Sequence, residues 1–147
     1  MTNARSLALI VTMLVLLGCA TTPVSPASAK RVPATRLFAF QEATPDRSAT
    51  IIVTRDSGFL GGGCFYSFTI NGVHAARFDV GETAQFHVPP GEVLLRNGRD
   101  QMGRGLCAIE KDHWVQRETV LRAGETKYFR LSLDGSGQPD VQRSDAE

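Results

Sequence analysis

The stretch Cys64–Val80, CFYSFTINGVHAARFDV, decides the fold. Its first half alternates, with Tyr66, Phe68 and Ile70 on one face. A period of two marks a half-buried strand. Asn71-Gly72 follows and is the strongest short hairpin signal, because both central residues of a tight primed turn need positive φ. The next strand is Val73–Val80, with Ala76, Phe78 and Val80 as its apolar set. A two-residue turn sets Ile70 opposite Val73 and Tyr66 opposite Arg77, one residue out of step with that set. A glycine-bulge turn that absorbs the extra residue is the expected resolution.

The same grammar recurs outward from this hairpin. Ala49–Arg55 (ATIIVTR) reads as a strand by its β-branched content. Arg36–Phe40 reads as a short first strand. Asp56–Gly63 is a glycine-rich loop without the lysine and the helix that a phosphate loop needs. On the other side, Thr83–Val88 turns Ala84, Phe86 and Val88 inward, and Pro89-Pro90-Gly91-Glu92 is a tight turn. Val93–Arg96 is a strand, and Asn97–Gly105 (NGRDQMGRG) a long polar loop. Trp114–Leu121 is expected to pair with Thr126–Leu133 across Ala123-Gly124-Glu125, with Phe129, Leu131 and Leu133 facing in. Beyond the first eighteen residues no segment of ten or more has a helical period. Strands about every ten residues with turn chemistry between them predict an all-β protein, a single antiparallel β-sandwich of about seven strands over residues 36–134.

The N-terminus carries an address. Arg5 is the only charge in residues 1–18, and Leu7–Leu17 is an apolar run of eleven. A bilayer span needs about 20 residues, so this run suits a secretory signal instead. It closes on Leu16-Leu17-Gly18-Cys19, which resembles the bacterial lipobox. That resemblance implies lipid attachment at Cys19, cleavage before it, and a membrane as partner. An ordinary signal peptide cut after Ala20 or Ala29 is the alternative. In bacterial lipoproteins of this kind an Asp just after the Cys resembles an inner-membrane retention signal; Ala20 and Thr21 follow Cys19 instead, which implies the outer membrane and a periplasmic domain. Thr21–Thr35 (TTPVSPASAKRVPAT) is too polar and proline-rich to bury surface of its own, and residues 19–35 are predicted to be a flexible tether. Residues 135–147 are predicted to be a disordered tail.

The chain has three cysteines. With Cys19 lipidated, Cys64 and Cys107 remain, and in an oxidising compartment a disulfide between them is expected. A zinc site lacks C-x-x-C and H-x3-H spacing, and a redox pair lacks adjacent cysteines at a helix start.

From Ala49 to Leu133 the order of parts, with Asn71-Gly72, Ala75-Ala76, Phe78, Pro89-Pro90-Gly91 and Ala123–Arg130, resembles small bacterial envelope domains of unknown function. Its layout is also similar to immunoglobulin-like and PEGA-type β-sandwiches. The resemblance implies a β-sandwich lipoprotein and brings no catalytic residues.

Without Arg5 the chain has 15 basic and 15 acidic residues. That balance leaves no footprint for nucleic acid. His74, His87 and His113 assemble no triad with any serine, and His74 is expected at the surface. The acids lack calcium-loop spacing, so no cofactor, metal or catalytic residue is expected. The loop around Arg96, Arg99 and Arg104, with Trp114 close in sequence, is the candidate partner surface, since guanidinium forks suit carboxylates and phosphates. The alternative is a solvated loop of ordinary ion pairs. The expectation is a non-enzymatic interaction or scaffold module of the envelope that takes a protein partner, or alternatively a small-molecule or glycan ligand.

Overall fold

A computed structural model describes residues 21–58, 63–109, 112–134 and 136–146. The expected signal peptide and Cys19 lie outside the described residues.

The described residues are all-β, with nine strands in two sheets. The strands are β1 (Lys30–Arg31), β2 (Ala49–Arg55), β3 (Tyr66–Ile70), β4 (Val73–Phe78), β5 (Glu82–Val88), β6 (Gly91–Arg99), β7 (Trp114–Leu121), β8 (Thr126–Leu133) and β9 (Pro139–Ser144). One sheet has the order β1-β5-β2-β8-β9 and the other β4-β3-β6-β7. Both turn their apolar faces onto one core: Ile51, Val53, Phe86, Val88 and Leu131 from the first, Tyr66, Phe68, Ile70, Phe78 and Leu95 from the second. Phe68 joins the sheets, with its ring 6.0 Å from Phe78 and 5.6 Å from Phe86. The inward sets expected at Ala84-Phe86-Val88 and Phe129-Leu131-Leu133 are all buried.

The hairpin keeps its turn and moves its bulge. Ile70 pairs directly with Val73 across Asn71 (φ 50°) and Gly72 (φ 79°). The extra residue sits within β4, where Thr69 faces His74 but Phe68 faces Ala76. Ala75 is the bulged residue, and its carbonyl accepts from Phe38 N at 2.9 Å. A bulge survives where another chain segment satisfies what the ladder gives up.

The pairing expected of Trp114–Leu121 and Thr126–Leu133 is corrected. Both strands have those bounds, but β7 pairs with β6 while β8 lies parallel to β2 and antiparallel to β9. The connecting turn is fastened elsewhere: Gly124 N donates to Ser48 O and Thr50 N to Glu125 O. The chain therefore crosses between sheets, and the larger sheet is mixed rather than antiparallel.

Among the described residues, parts of the predicted tether and tail join the fold as β1 and β9. Lys30-Arg31 runs parallel to β5, and Val32 is buried. Arg36 grips Glu82 through two hydrogen bonds of 2.7 and 2.6 Å. Leu37 bridges to Ala76 on β4, and His87 N on β5 donates to Phe40 O. Arg36–Phe40 is thus no strand: a 3-10 turn over Ala34–Arg36 leads into a strap. Residues 30–40 add β1 to the edge of the larger sheet beside β5 and reach across to β4, the edge of the smaller one. Composition misjudged this segment because its contacts are mostly backbone bonds, which polar residues make as well as apolar ones. At the other edge of the larger sheet, β9 meets the smaller sheet through Asn97 Nδ2 to Asp140 O (3.0 Å) and the Arg117–Asp140 ion pair (2.7 Å).

Candidate functional site

The outer face of the smaller sheet is polar. Period two points Ser67 and Thr69 away from the core that holds Tyr66, Phe68 and Ile70. Register builds two rows across the four strands. One reads Arg77, Ser67, Gly98, Trp114, and the next reads His74, Thr69, Arg96, Gln116.

The loop expected at Asn97–Gly105 begins later than predicted. Asn97, Gly98 and Arg99 belong to β6, with Asn97 buried toward β9. Asp100 is buried as well and holds Arg77 in a fork, at 2.9 and 2.5 Å. Arg77 also stands over the Phe65 ring at 4.7 Å, and Arg36 over the same ring at 4.6 Å. Two residues of the presumed surface loop are thus core and ion pair.

A cavity of about 220 Å³ opens over Gly98, lined by Ser67, Thr69, Arg96, Arg99, Gln101, Asp112 and Trp114. Glycine is needed at its base: a Cβ at position 98 would stand 2.7 Å from Trp114 Cβ. The Arg96 guanidinium stacks on the indole at 3.9 Å from the ring centre and donates to Gln116 Oε1 at 3.3 Å. Thr69 Oγ1 and Arg96 Nε are buried, and among the described residues neither meets a hydrogen-bond partner. Arg96, Arg99 and Trp114 are therefore together, as the candidate surface requires. Arg104 is not with them; it borders a separate hollow with Cys64, Phe65, Met102 and Cys107. The expected disulfide joins Cys64 to Cys107, with the two Cα atoms 5.4 Å apart.

Beside the cavity, Ser67 Oγ and His74 Nε2 are 3.0 Å apart. His74 is half-buried under Phe38, with the ring centres 4.7 Å apart, not at the surface as expected. Burial pushes its pKa below the ordinary imidazole value, opposed by a hydrogen bond with the Ala76 backbone and by the charge of Asp100. The pair resembles two members of a catalytic triad, but the nearest acid is committed to Arg77. Ser67 itself is buried, so it is poorly placed to attack a substrate. Sequence reasoning missed Ser67, Thr69 and His74 as a group. The alternation of β3 marks the first two as outward-facing, and the register mismatch signals a bulge, but its place at Ala75, which brings His74 alongside them, was not legible.

No protein-family model matches the chain, and no curated protein matches it.

Among the described residues no group of three or more His, Cys, Asp and Glu side chains is placed to hold a metal ion. No helix among them is long and apolar enough to cross a membrane. The outer face presents a cation–aromatic pair, hydroxyls and an amide around a small hollow.

Proposed function

We propose that this chain is a lipoprotein held by Cys19 in the outer membrane, whose periplasmic domain is a non-enzymatic interaction or scaffold module. The observation that carries the reading is Leu16-Leu17-Gly18-Cys19 at the end of an eleven-residue apolar run. The Cys64–Cys107 disulfide supports it, because such bonds persist in oxidising compartments. The two sheets are read as the layers of a β-sandwich of the immunoglobulin-like or PEGA-like kind, on the turns and core positions named above. Arg96, Arg99 and Trp114, which line one cavity, supply the candidate contact for an envelope partner. Arginine and tryptophan are enriched where interfaces concentrate their binding energy.

The test has two readouts. Metabolic labelling with palmitate and the mass of the N-terminal peptide report acylation, with Cys19→Ser as the unlabelled control. In-cell crosslinking of the wild type and of R96A/W114A then reports the partner. A reproducible envelope partner lost in the double variant is expected. Recovery of the acylated protein alone in every preparation would exclude the scaffold role.

A second reading is favoured by the cavity itself. Buried polar groups that await a partner, beside an aromatic wall, are the ingredients of a small-ligand or glycan site. It predicts that a soluble envelope saccharide protects the isolated domain against thermal unfolding and leaves W114A unprotected.

A further inference from the structure

Four of the seven exposed large hydrophobic side chains among the described residues fall between positions 102 and 114. Leu106 is 85% exposed, Ile109 58%, Met102 56% and Trp114 47%. Three of them flank a segment whose backbone is tightly held. Asp100, locked to Arg77, accepts from Met102 N at 3.0 Å. Gly103 N donates to Asp100 O, and Cys107 N to Arg104 O. A Cβ on Gly103 would fall 2.3 Å from Cys107 O. The disulfide then pins the 3-10 turn Gly105–Ala108 to Cys64. This is a fixed shape that holds Met102, Leu106 and Ile109 out to their surroundings.

The first described residues, Thr21 and Thr22, lie at the same end of the sheets. Thr21 Oγ1 donates to Asp56 Oδ2 at 2.7 Å and Leu133 N donates to Thr21 Oγ1 at 3.1 Å, while Thr22 bridges to Ser57. Asp56 and Leu133 mark the C-terminal ends of β2 and β8. Arg55, next to Asp56, donates to Cys64 O at 2.7 Å. Contacts thus lead without a break from Thr21 to the Cys64–Cys107 staple. Cys19 precedes Thr21 by two residues, and two residues of chain reach about 7 Å at most.

We propose that this end of the molecule faces the bilayer that holds Cys19, with Met102, Leu106 and Ile109 seated in its interfacial layer. The proposal rests on the lipoprotein reading given above. A lipid surface is the occupant because an acylated Cys19, so short a distance from Thr21, brings the bilayer to this end and no other. The exposed side chains there, Met102, Leu106 and Ile109, are apolar, so apolar contact rather than headgroup attraction is the source of binding. The hairpin tip at Asn71-Gly72 is the far end and points away from the membrane.

Trp114 is the only tryptophan, so a W114F background lets one introduced indole report its own surroundings. Full-length protein extracted from membranes is reconstituted in phosphatidylethanolamine–phosphatidylglycerol vesicles that contain lipid brominated high on the acyl chain. L106W reports this end and V73W the far end. Interfacial apolar side chains sit about 5–10 Å into the headgroup–acyl boundary, so quenching by about half is expected for L106W and none for V73W. The N-terminal peptide mass is read on the same sample. An acylated protein whose L106W indole is unquenched overturns the proposal and leaves the anchor standing. A protein without acylation overturns both. An L106W indole shielded from aqueous iodide yet untouched by brominated lipid means that a protein covers the loop, and this also overturns the proposal.

Discussion

Gly98 is the residue on which the outer face depends. Gly98→Ala drives a methyl into Trp114 Cβ and the His113 carbonyl, 2.7 and 3.0 Å away. Overpacking of this kind costs about 1–3 kcal/mol, so a lower urea midpoint and a red-shifted Trp114 emission are expected. Arg55 has the opposite role, as a buried cation that serves the backbone. Its guanidinium donates to Cys64 O and Phe78 O and stacks 3.6 Å from the centre of the Tyr66 ring. Arg55→Met removes the donors from two buried carbonyls, and a loss of about 2–4 kcal/mol in denaturant unfolding is expected. His74 sets a pH dependence. Its folded pKa lies below the unfolded value, so the unfolded chain binds the proton more readily. Its contribution to stability is complete above pH of about 6.5 and is lost as pH falls through that value toward the folded pKa. Urea midpoints measured from pH 7.5 to 5.5 should fall for the wild type and fall less for His74→Gln. Among single residues, the inward sets were legible because burial follows period two. Asp100 and Asn97 were not, since a polar residue in a polar run gives no sign that an Arg77 or an Asp140 carbonyl waits in another strand.

At the scale of elements, residues 21–35 separate composition from structure most clearly. They were expected to be loose, yet they place β1 on the β5 edge, bury Val32 and lead into the Arg36–Glu82 fork. A chain shortened to begin at residue 36 should lose about 2–4 kcal/mol, from one buried valine and the backbone hydrogen bonds that Thr22, Lys30 and Val32 make. It should also gain a tendency to dimerise, because the β5 edge is uncovered. Equilibrium unfolding and sedimentation of the two chains check both outcomes. Strand positions were largely legible here: the place of the Asn71-Gly72 turn, though not the glycine bulge expected in it, and the bounds of β7 and β8 stand as read. Partnership was not. Two strands joined by a short glycine turn make a hairpin by default, and only the bonds from Ser48 and Thr50 to that turn divert β8 to the other sheet.

The whole molecule is stapled once, across a sequence separation of 43 residues. On the chain-entropy account that crosslink is worth about 4 kcal/mol, a large share of the roughly 5–15 kcal/mol that holds a domain. Reduction, or C64S/C107S, should lower the urea midpoint by a matching amount while the two-sheet circular dichroism signature persists. The disulfide was legible by counting cysteines, and the two-sheet body by strand spacing. The site was half legible, with Arg96, Arg99 and Trp114 gathered and Arg104 apart, because the disulfide turns the chain away between them. The parallel pairing of β2 with β8 has a consequence in time. Thr50 lies beside Thr126, 76 positions later. Contacts so distant in sequence slow folding, since the long loop must close before the pairing rewards it. A chain made from its N-terminus can pair one edge of β2 with β5 early, but must hold the other edge of this central strand unpaired until β8 has arrived. Its nascent form is therefore a natural client for a holding chaperone, and a ribosome stalled before residue 126 should display a β2 that proteases cut.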